Sequence, residues 1–594
     1  MGIPGLFADI IKNKFYKNIH SGVKNGKVNC EYFFMDYNGI VYSAYERIKE
    51  KIEGAENTKD KIEELLIEEV LRYTKYLICD VIKPSKLTYI SLDGPAPRAK
   101  MVQQRSRRYK GYKDKLFNQE MKRKHNISAD KYEWDRSANI SPGTEFMEKL
   151  SSRLVSSMKT KFFSAHNQKM EFILSNSNVP GEGEHKFLNT IRSMTKLKSK
   201  ENSPVYIYGK DADLIVLAIS THKNNLHIIR EVGSESDEML KTMYQDYEFL
   251  NLDIDNLRAG FNKELTRTFP RDTKFDETRI LNDYIFLTFL VGNDFVMSMP
   301  FLKVRKGGLK SLIAIYHNIR NNHADYLVLP GEKLNIPFLT ELFLEISKTE
   351  DTLMKAQYKE VNKYLNGFKD NYETNAEATL TPYQIATTRY VHGKVCSQDH
   401  PLFSTYHGDF KAIDYNKEAG EWKKEYYNYY LGGQELIPAL CENYFESLVY
   451  TLKYYFTECP SWTWHYHFRV SPLPSDLYEM LRSKRIDIHK IELEKGTPYS
   501  PFEQLMLILP PQMATLLPKA IQPIMTDEKH MCIQYYPVDF RIDASVGIKT
   551  QYSEAILPEI EDDVLLPVIR KLSEGLSEKE KERNKISTAL IMVK

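Results

Sequence analysis

Net charge is the first thing this 594-residue sequence lacks: 82 Lys and Arg against 80 Asp and Glu leave only +2. A chain so nearly neutral has no overall attraction for a polyanion, and any such affinity must come from a local patch. Long apolar runs are also missing. The strongest, "YIFLTFLVG" from Tyr284, is far shorter than the roughly 20 residues a membrane helix needs, so no membrane association is expected. Cysteine is sparse. Cys30, Cys79, Cys396, Cys441, Cys459 and Cys532 are scattered, with no C-x-x-C pair, which argues against a zinc ribbon or a dithiol redox motif. Buried free thiols in a reducing compartment are the expected reading. The start, "MGIPGLFADIIKNKF", has no basic segment leading into a long apolar stretch, and Leu6 stands where a myristoylation signal has Ser or Thr. A soluble intracellular protein is expected.

What is present is a hydrophobic fraction of 42% with 12% aromatics, enough for a large core. At this length at least two domains are expected, because single cores rarely grow beyond roughly 250 to 300 residues. Four short runs, "EYFFMD", "KLTYISLD", "KMEFILSNSN" and "PVYIYGKDAD", read as strands. Between them the apolar residues recur at helical spacing, as in "KIEELLIEEVLRYTKYLICDVI". Strand and helix in alternation predict an α/β fold with a largely parallel central sheet flanked by helices. Residues 1–350 are expected to form this domain, 351–425 a connecting or peripheral region, and 426–594 a second, mainly helical region packed against it. The tail "LSEGLSEKEKERNKIS" reads as a solvated charged helix or a frayed end.

Each predicted strand runs into acids. Asp36 closes the first and Asp93 the second; Glu182 and Glu184 follow the third after a Pro-Gly turn, and Asp211 and Asp213 follow the fourth. Ligands of open α/β sheets bind outside the carboxyl ends of the strands, so these six acids should converge on one edge. Asp294 in "TFLVGNDF" is a seventh candidate. One such Asp alone is more simply a helix cap, but the repetition over four strands points to hard divalent cations, Mg²⁺ or Mn²⁺. Two such ions can clamp the attacking and leaving oxygens of a phosphodiester displacement. His185, alone among carboxylates, reads as a supporting or structural group.

The segment after Asp93 turns basic. From Arg98 to His125 there are eleven Lys and Arg against two acids, eleven less two leaving a local excess of nine. If a helix begins after Pro97, then Lys100, Gln104, Arg107 and Arg108 share one face and make a receptor for a terminal phosphate. The lysines from Lys113 to Lys124 are expected to lie on a solvated projection.

With these residues in view, the sequence resembles the Xrn-type 5′-to-3′ exoribonucleases, within the PIN-like and flap-endonuclease-like nucleases. The resemblance is carried by "MGIPGLF", "FFMDYNGIVY", "SLDGPAPRAKMVQQRSRR", "SPGTEFMEKL", "VPGEGEHK", "YGKDADLI" and "FLVGNDF", and in the second half by "CPSWTWHYHF", "SPLPSDL" and "PFEQLMLILPPQMATLLP". It implies a PIN-like core in which Asp36, Asp93, Glu182, Glu184, Asp211, Asp213 and Asp294 hold two catalytic Mg²⁺ ions, with Mn²⁺ able to substitute. It implies that Lys100, Gln104, Arg107 and Arg108 grip the 5′-monophosphate of single-stranded RNA, which is degraded processively to nucleoside 5′-monophosphates. Base stacking is implied for Tyr42, where the family has His, and for Trp462 or Trp464. A flap-type DNA endonuclease or an inactive RNA-binding scaffold are the competing readings. Lys210 and Ser298 depart from the family pattern. The end at Lys594 resembles a minimal catalytic core, expected to be monomeric and cytoplasmic rather than nuclear. The Lys-, Asn-, Ile- and Tyr-rich usage suggests an A+T-rich genome, viral or protist.

Overall fold

Four apolar runs with no polar alternation are what a parallel sheet covered on both faces requires, and the computed structural model has such a sheet at its centre. It describes all residues except 1–2, 4, 14–15, 17, 54–57, 128–133, 164–169, 233–237, 270–273, 372–380, 392–404, 407–412, 544–552 and 594. The strands are β1 (His20–Gly22), β2 (Tyr32–Asp36), β3 (Leu87–Ser91), β4 (Glu171–Ser175), β5 (Val205–Tyr208), β6 (Leu226–Glu231), β7 (Phe249–Asp253) and β8 (Ile591–Val593). Their spatial order is β1-β7-β6-β5-β2-β3-β4-β8. The five strands from β6 to β4 run parallel, and β7, β1 and β8 are antiparallel additions at the two edges.

The chain lays down β2, β3 and β4 in one direction, then returns to place β5, β6 and β7 on the other side of β2. Strand order therefore reverses between β2 and β5, which is where open sheets of this kind present a ligand crevice. Every residue of β2, β3 and β5 is buried. Alternate side chains of β2 go to opposite layers. Phe33 and Met35 join a core with helices α1 (Tyr37–Glu53) and α2 (Lys59–Tyr76), while Tyr32 and Phe34 join a larger one on the other face.

That larger core is continuous from the sheet into the second half of the chain. It runs through α5 (Asp213–Ser220) and α6 (Glu277–Leu290) to α7 (Ile336–Asn371), α8 (Ile437–Phe456) and α9 (Pro474–Arg482). The region expected to connect the halves, 351–425, begins inside the long α7; residues 372–380, 392–404 and 407–412, with Cys396, lie outside the described residues. The five described cysteines are free thiols, four of them buried.

The tail is neither frayed nor wholly solvated. Ser577 and Glu580 form a capping box on a short helix, Glu578–Arg583. Arg583 is buried with its guanidinium over the Phe502 ring. The last residues pair with β4, Val593 opposite Phe172. β4 offered an open edge, and an apolar "IMV" after a charged helix satisfies it.

A buried acid tests the packing of α6. Asp283 is fully buried and pushed up to about 7 by that burial, yet it accepts bonds from the Leu327 and Val328 N–H groups and the Tyr316 hydroxyl. Asn at this position would turn an amide N–H₂ against one of those donors. Asp283→Asn is expected to lower the urea midpoint by an amount equivalent to about 1–3 kcal/mol.

Candidate metal centre and phosphate-facing helix

The acids are positioned by the ends of the strands that carry them. Asp36 is the last residue of β2, opposite Ser91 in register, and Asp93 lies two residues past Ser91, the end of β3. Glu182 and Glu184 sit at the start of α4 (Gly183–Thr195), Glu182 as its N-cap residue. Asp211 and Asp213 follow β5 and open α5. Gly183 is needed between the two glutamates because a Cβ there would lie 3.0 Å from the Ser91 carbonyl oxygen and 3.2 Å from the Asp36 Oδ1. Asp294 follows α6 on a turn opened by Gly292 at φ 93°, where an added Cβ would collide with Ser298. Ser298 thus closes the turn that carries the acid.

Asp36, Asp93 and Glu184 converge, with one carboxylate oxygen from each within 4.8 Å of the others. Burial, reinforced by neighbouring carboxylates, holds Asp36 and Glu184 well above the usual range and Asp93 above it. Asp213 is pushed up to about 6 by burial. Asp93 has its donors: the Gly183 N–H on Oδ1 and the Asn38 side-chain amide on Oδ2, each at 2.7 Å. No hydrogen-bond donor among the described residues reaches the Asp36 or Glu184 carboxylate, and the Asp213 Oδ1 is buried without a partner. Largely buried, all-oxygen and mutually repelling, this set fits a hard divalent cation.

Glu182 and Asp294 are arranged differently. The Lys100 ammonium lies 2.5 Å from Glu182 and 2.6 Å from Asp294. Burial opposes the Lys100 charge, but these carboxylates outweigh it and hold its pKa well above the ordinary value. Burial likewise works to raise Asp294, yet Lys100 outweighs it and holds the acid below its usual range. Gln103 donates to the second Asp294 oxygen at 2.5 Å, and the Tyr454 hydroxyl of α8 donates to Glu182 at 2.7 Å. His185 packs its ring on Tyr454, centroids 3.9 Å apart. Asp211 is the exposed member of the set.

The helix after Asp93, α3 (Arg98–Lys124), begins at Pro97 as its spacing predicts. The four residues placed on one face by spacing do different things. Lys100 reaches into the acids, Gln104 accepts from Gln504 of α10 (Pro501–Ile508) at 3.3 Å, and Arg107 is exposed. Arg108 is buried and donates one bond to Ser141 at 2.7 Å, while its Nε and Nη1 have no partner. Burial, then the like charge of Arg107, pushes Arg108 down to about 10. Tyr42 on α1 is half-buried within electrostatic reach of Arg108, Arg107 and Asp93.

The expected projection of solvated residues from Lys113 to Lys124 is corrected at Lys113, which is buried against the second half of the chain, as is Arg105 before it. Arg105 donates to the carbonyls of Pro558 and Tyr535, and Lys113 binds Asp539 and the Phe540 carbonyl. Net charge along the helix does not reveal this, because carbonyl acceptors carry no sequence signal. Lys210, the unexpected cation before Asp211, pairs with Glu231 at 2.6 Å.

The two tryptophans separate. Trp464 stacks on Tyr450 with centroids 4.7 Å apart and donates to Glu446 at 2.9 Å. Trp462 is half-buried, and its carbonyl accepts the N–H of Arg98, the first residue of α3. Asn38, Gln103 and Tyr454 had not been singled out in the sequence; only Asn38, two residues after Asp36, carried a local cue.

A parallel sheet whose switch point gathers carboxylates beside a basic helix is the arrangement of a PIN-like core, with an acidic cluster suited to a divalent cation. Residues 1–232 match the family model described as "XRN 5'-3' exonuclease N-terminus", and residues 274–419 and 417–594 match "Xrn1 helical domain". The chain belongs to this XRN exonuclease family. It is 27% identical to "5'-3' exoribonuclease 1" of Schizosaccharomyces pombe, over 100% of this chain and 50% of that protein. It is 27% identical to the Homo sapiens protein of the same name, over 100% of this chain and 35% of that one. To "5'-3' exoribonuclease 2" of Gallus gallus it is 26% identical over 96% of this chain and 68% of the relative. The chain thus spans half or less of the length of these two exoribonuclease 1 relatives.

Proposed function

We propose that this chain is a processive 5′-to-3′ exoribonuclease that hydrolyses 5′-monophosphorylated single-stranded RNA to nucleoside 5′-monophosphates, acting as a monomer. One observation carries the reading. The strand end that supplies Asp93 leads within a few residues into α3, whose Arg108 holds two buried guanidinium nitrogens without a partner. A nuclease that cuts internally has no use for a terminal-phosphate receptor built beside its acids.

Two Mg²⁺ ions, or Mn²⁺, held by Asp36, Asp93, Glu182, Glu184, Asp211, Asp213 and Asp294 would supply an activated water and neutralise charge on the leaving oxygen. The remaining roles belong to the chain itself. Arg107 and Arg108 bind the 5′-phosphate, with Gln104 beside them. Lys100, now paired with Glu182 and Asp294, holds Asp294 below its usual range and is placed to turn from the two acids toward a phosphate. Tyr42 and Trp462 offer faces for the first base, and such stacking tolerates any base. A capped or triphosphorylated end would be excluded from a receptor matched to a monophosphate.

End-labelled RNAs differing only at the 5′ end test the reading. The 5′-monophosphate RNA should be degraded to mononucleotides from that end, with triphosphate and hydroxyl forms resistant. Equal decay of all three would remove the proposed pocket. The tryptophans give a second prediction. Trp462→Ala should slow RNA turnover by about 5- to 150-fold, the value of one base stack of about 1–3 kcal/mol, with little change in thermal midpoint. Trp464→Ala should chiefly lower that midpoint, because it loses the Tyr450 stack and the Glu446 bond.

A further inference from the structure

Away from the acidic centre, a second group of donors meets where two distant segments touch. His465 and His467 are two residues apart on a segment without helix or strand hydrogen bonding, and in extended chain that spacing sends both side chains the same way. Their rings lie 4.2 Å apart, centroid to centroid. Both aim at one atom of a segment almost a hundred residues further on: the Glu559 Oε1 is 3.3 Å from His465 Nε2 and 2.8 Å from His467 Nδ1. One donor atom from each of the three residues falls within 4.8 Å of the other two.

We infer that His465, His467 and Glu559 form a second metal site, taking a borderline divalent cation of the Zn²⁺ class and clasping the segment around Trp462 to the segment before Asp562. Two imidazole nitrogens and one carboxylate oxygen suit Zn²⁺, whereas the all-oxygen set at the sheet edge suits Mg²⁺. Without a cation a single carboxylate oxygen, Glu559 Oε1, is shared by both rings, and the buried Nδ1 of His465 has no partner. The site opens onto a cavity of about 420 Å³ lined by Thr463, Tyr499, Glu561, Asp562 and Arg570 among others. Asp562 is engaged by Arg98 and Tyr499, and Glu561 accepts from Tyr535. With three protein ligands a further position would be open to water from the cavity, as in a three-ligand zinc site.

The consequence is positional. Trp462 lies three residues before His465, and its carbonyl holds the first N–H of α3. Glu559 lies three residues before Asp562, whose carboxylate holds the Arg98 side chain. A cation at the clasp would join the two segments that fix the start of α3. This inference is independent of the proposed exonuclease activity.

The test is Zn²⁺ uptake by the full chain in millimolar Mg²⁺, read by competition with a chromophoric chelator and by thermal midpoint. One equivalent should bind and raise the midpoint, since a cation bound only to the folded state stabilises it. His467→Ala and Glu559→Gln should each weaken uptake at least about tenfold, and Asp93→Asn should leave it intact. Both clasp residues are solvent-exposed, so the variants should fold, and their Zn²⁺-free midpoints check that they do. Absence of uptake, uptake unchanged in both clasp variants, or uptake lost in Asp93→Asn would each overturn the assignment.

Discussion

Asp93→Asn is expected to reduce RNA hydrolysis by on the order of 10³-fold at saturating Mg²⁺ while leaving RNA binding nearly unchanged. The substitution keeps size and shape but removes one of three carboxylates that converge within 4.8 Å. It also replaces an oxygen that accepts from Gly183 or Asn38 with an amide N–H₂ that faces a donor. A metal centre contributes several kcal/mol of charge stabilisation to a phosphoryl transition state, and each 1.36 kcal/mol lost is tenfold in rate. On the proposed reading RNA would be held by α3 and the aromatic faces, so filter binding in EDTA should return nearly the wild-type Kd. A rate within tenfold of wild type would mean that Asp93 does not hold the cation. A large loss of binding alongside the rate would mean that the acids and α3 are not separable parts.

Why so much of this centre was readable follows from its construction. Strands buried on both faces must be apolar throughout, so they stand out as runs, and a polar residue at the end of such a run marks where the buried backbone meets solvent. Asp36 and Asp93 are visible for that reason. The partners of those acids were not. Tyr454 reaches Glu182 from 272 positions away, and nothing in "KYYFTEC" distinguishes it from a core tyrosine. Spacing alone puts Gln104, not Gln103, on the face of Arg107 and Arg108; the structure gives Gln103 to Asp294 and Gln104 to Gln504.

Edge strands were the least legible part of the fold. β1 and β8 have three residues each, too few for a period of two to register, and they exist because β7 and β4 presented edges to be covered. The basic helix misled in the opposite direction. Its charge suggested solvent or phosphate, but Arg105 and Lys113 are spent on carbonyls and an aspartate of the second half of the chain. Long cationic side chains can serve a nucleic acid or an internal interface equally well, and only the position of the acceptors decides between them.

Arg108→Ala carries the sharpest consequence for specificity. The guanidinium is buried, its Nη2 bonded to Ser141 and its Nε and Nη1 unpaired. Leaving charged donors buried and unpaired is costly, and a phosphate oxygen placed there would remove that cost. Charge-assisted hydrogen bonds contribute about 1.5–3 kcal/mol each, so losing two bonds that a 5′-hydroxyl end never makes should remove about 3 kcal/mol or more of end discrimination. That corresponds to roughly 10²-fold or more. The expected result is a collapse in the ratio of kcat/KM for 5′-monophosphate over 5′-hydroxyl RNA, with the value for the hydroxyl RNA nearly unmoved. Arg108→Lys should recover only part of the ratio, because an ammonium restores the charge without the planar fork. A ratio unchanged in both variants would place the phosphate receptor elsewhere on α3, with exposed Arg107 the next candidate. A proportional fall for both RNAs would instead assign Arg108 to holding α3 against Ser141, and the pocket would lose its best-defined member.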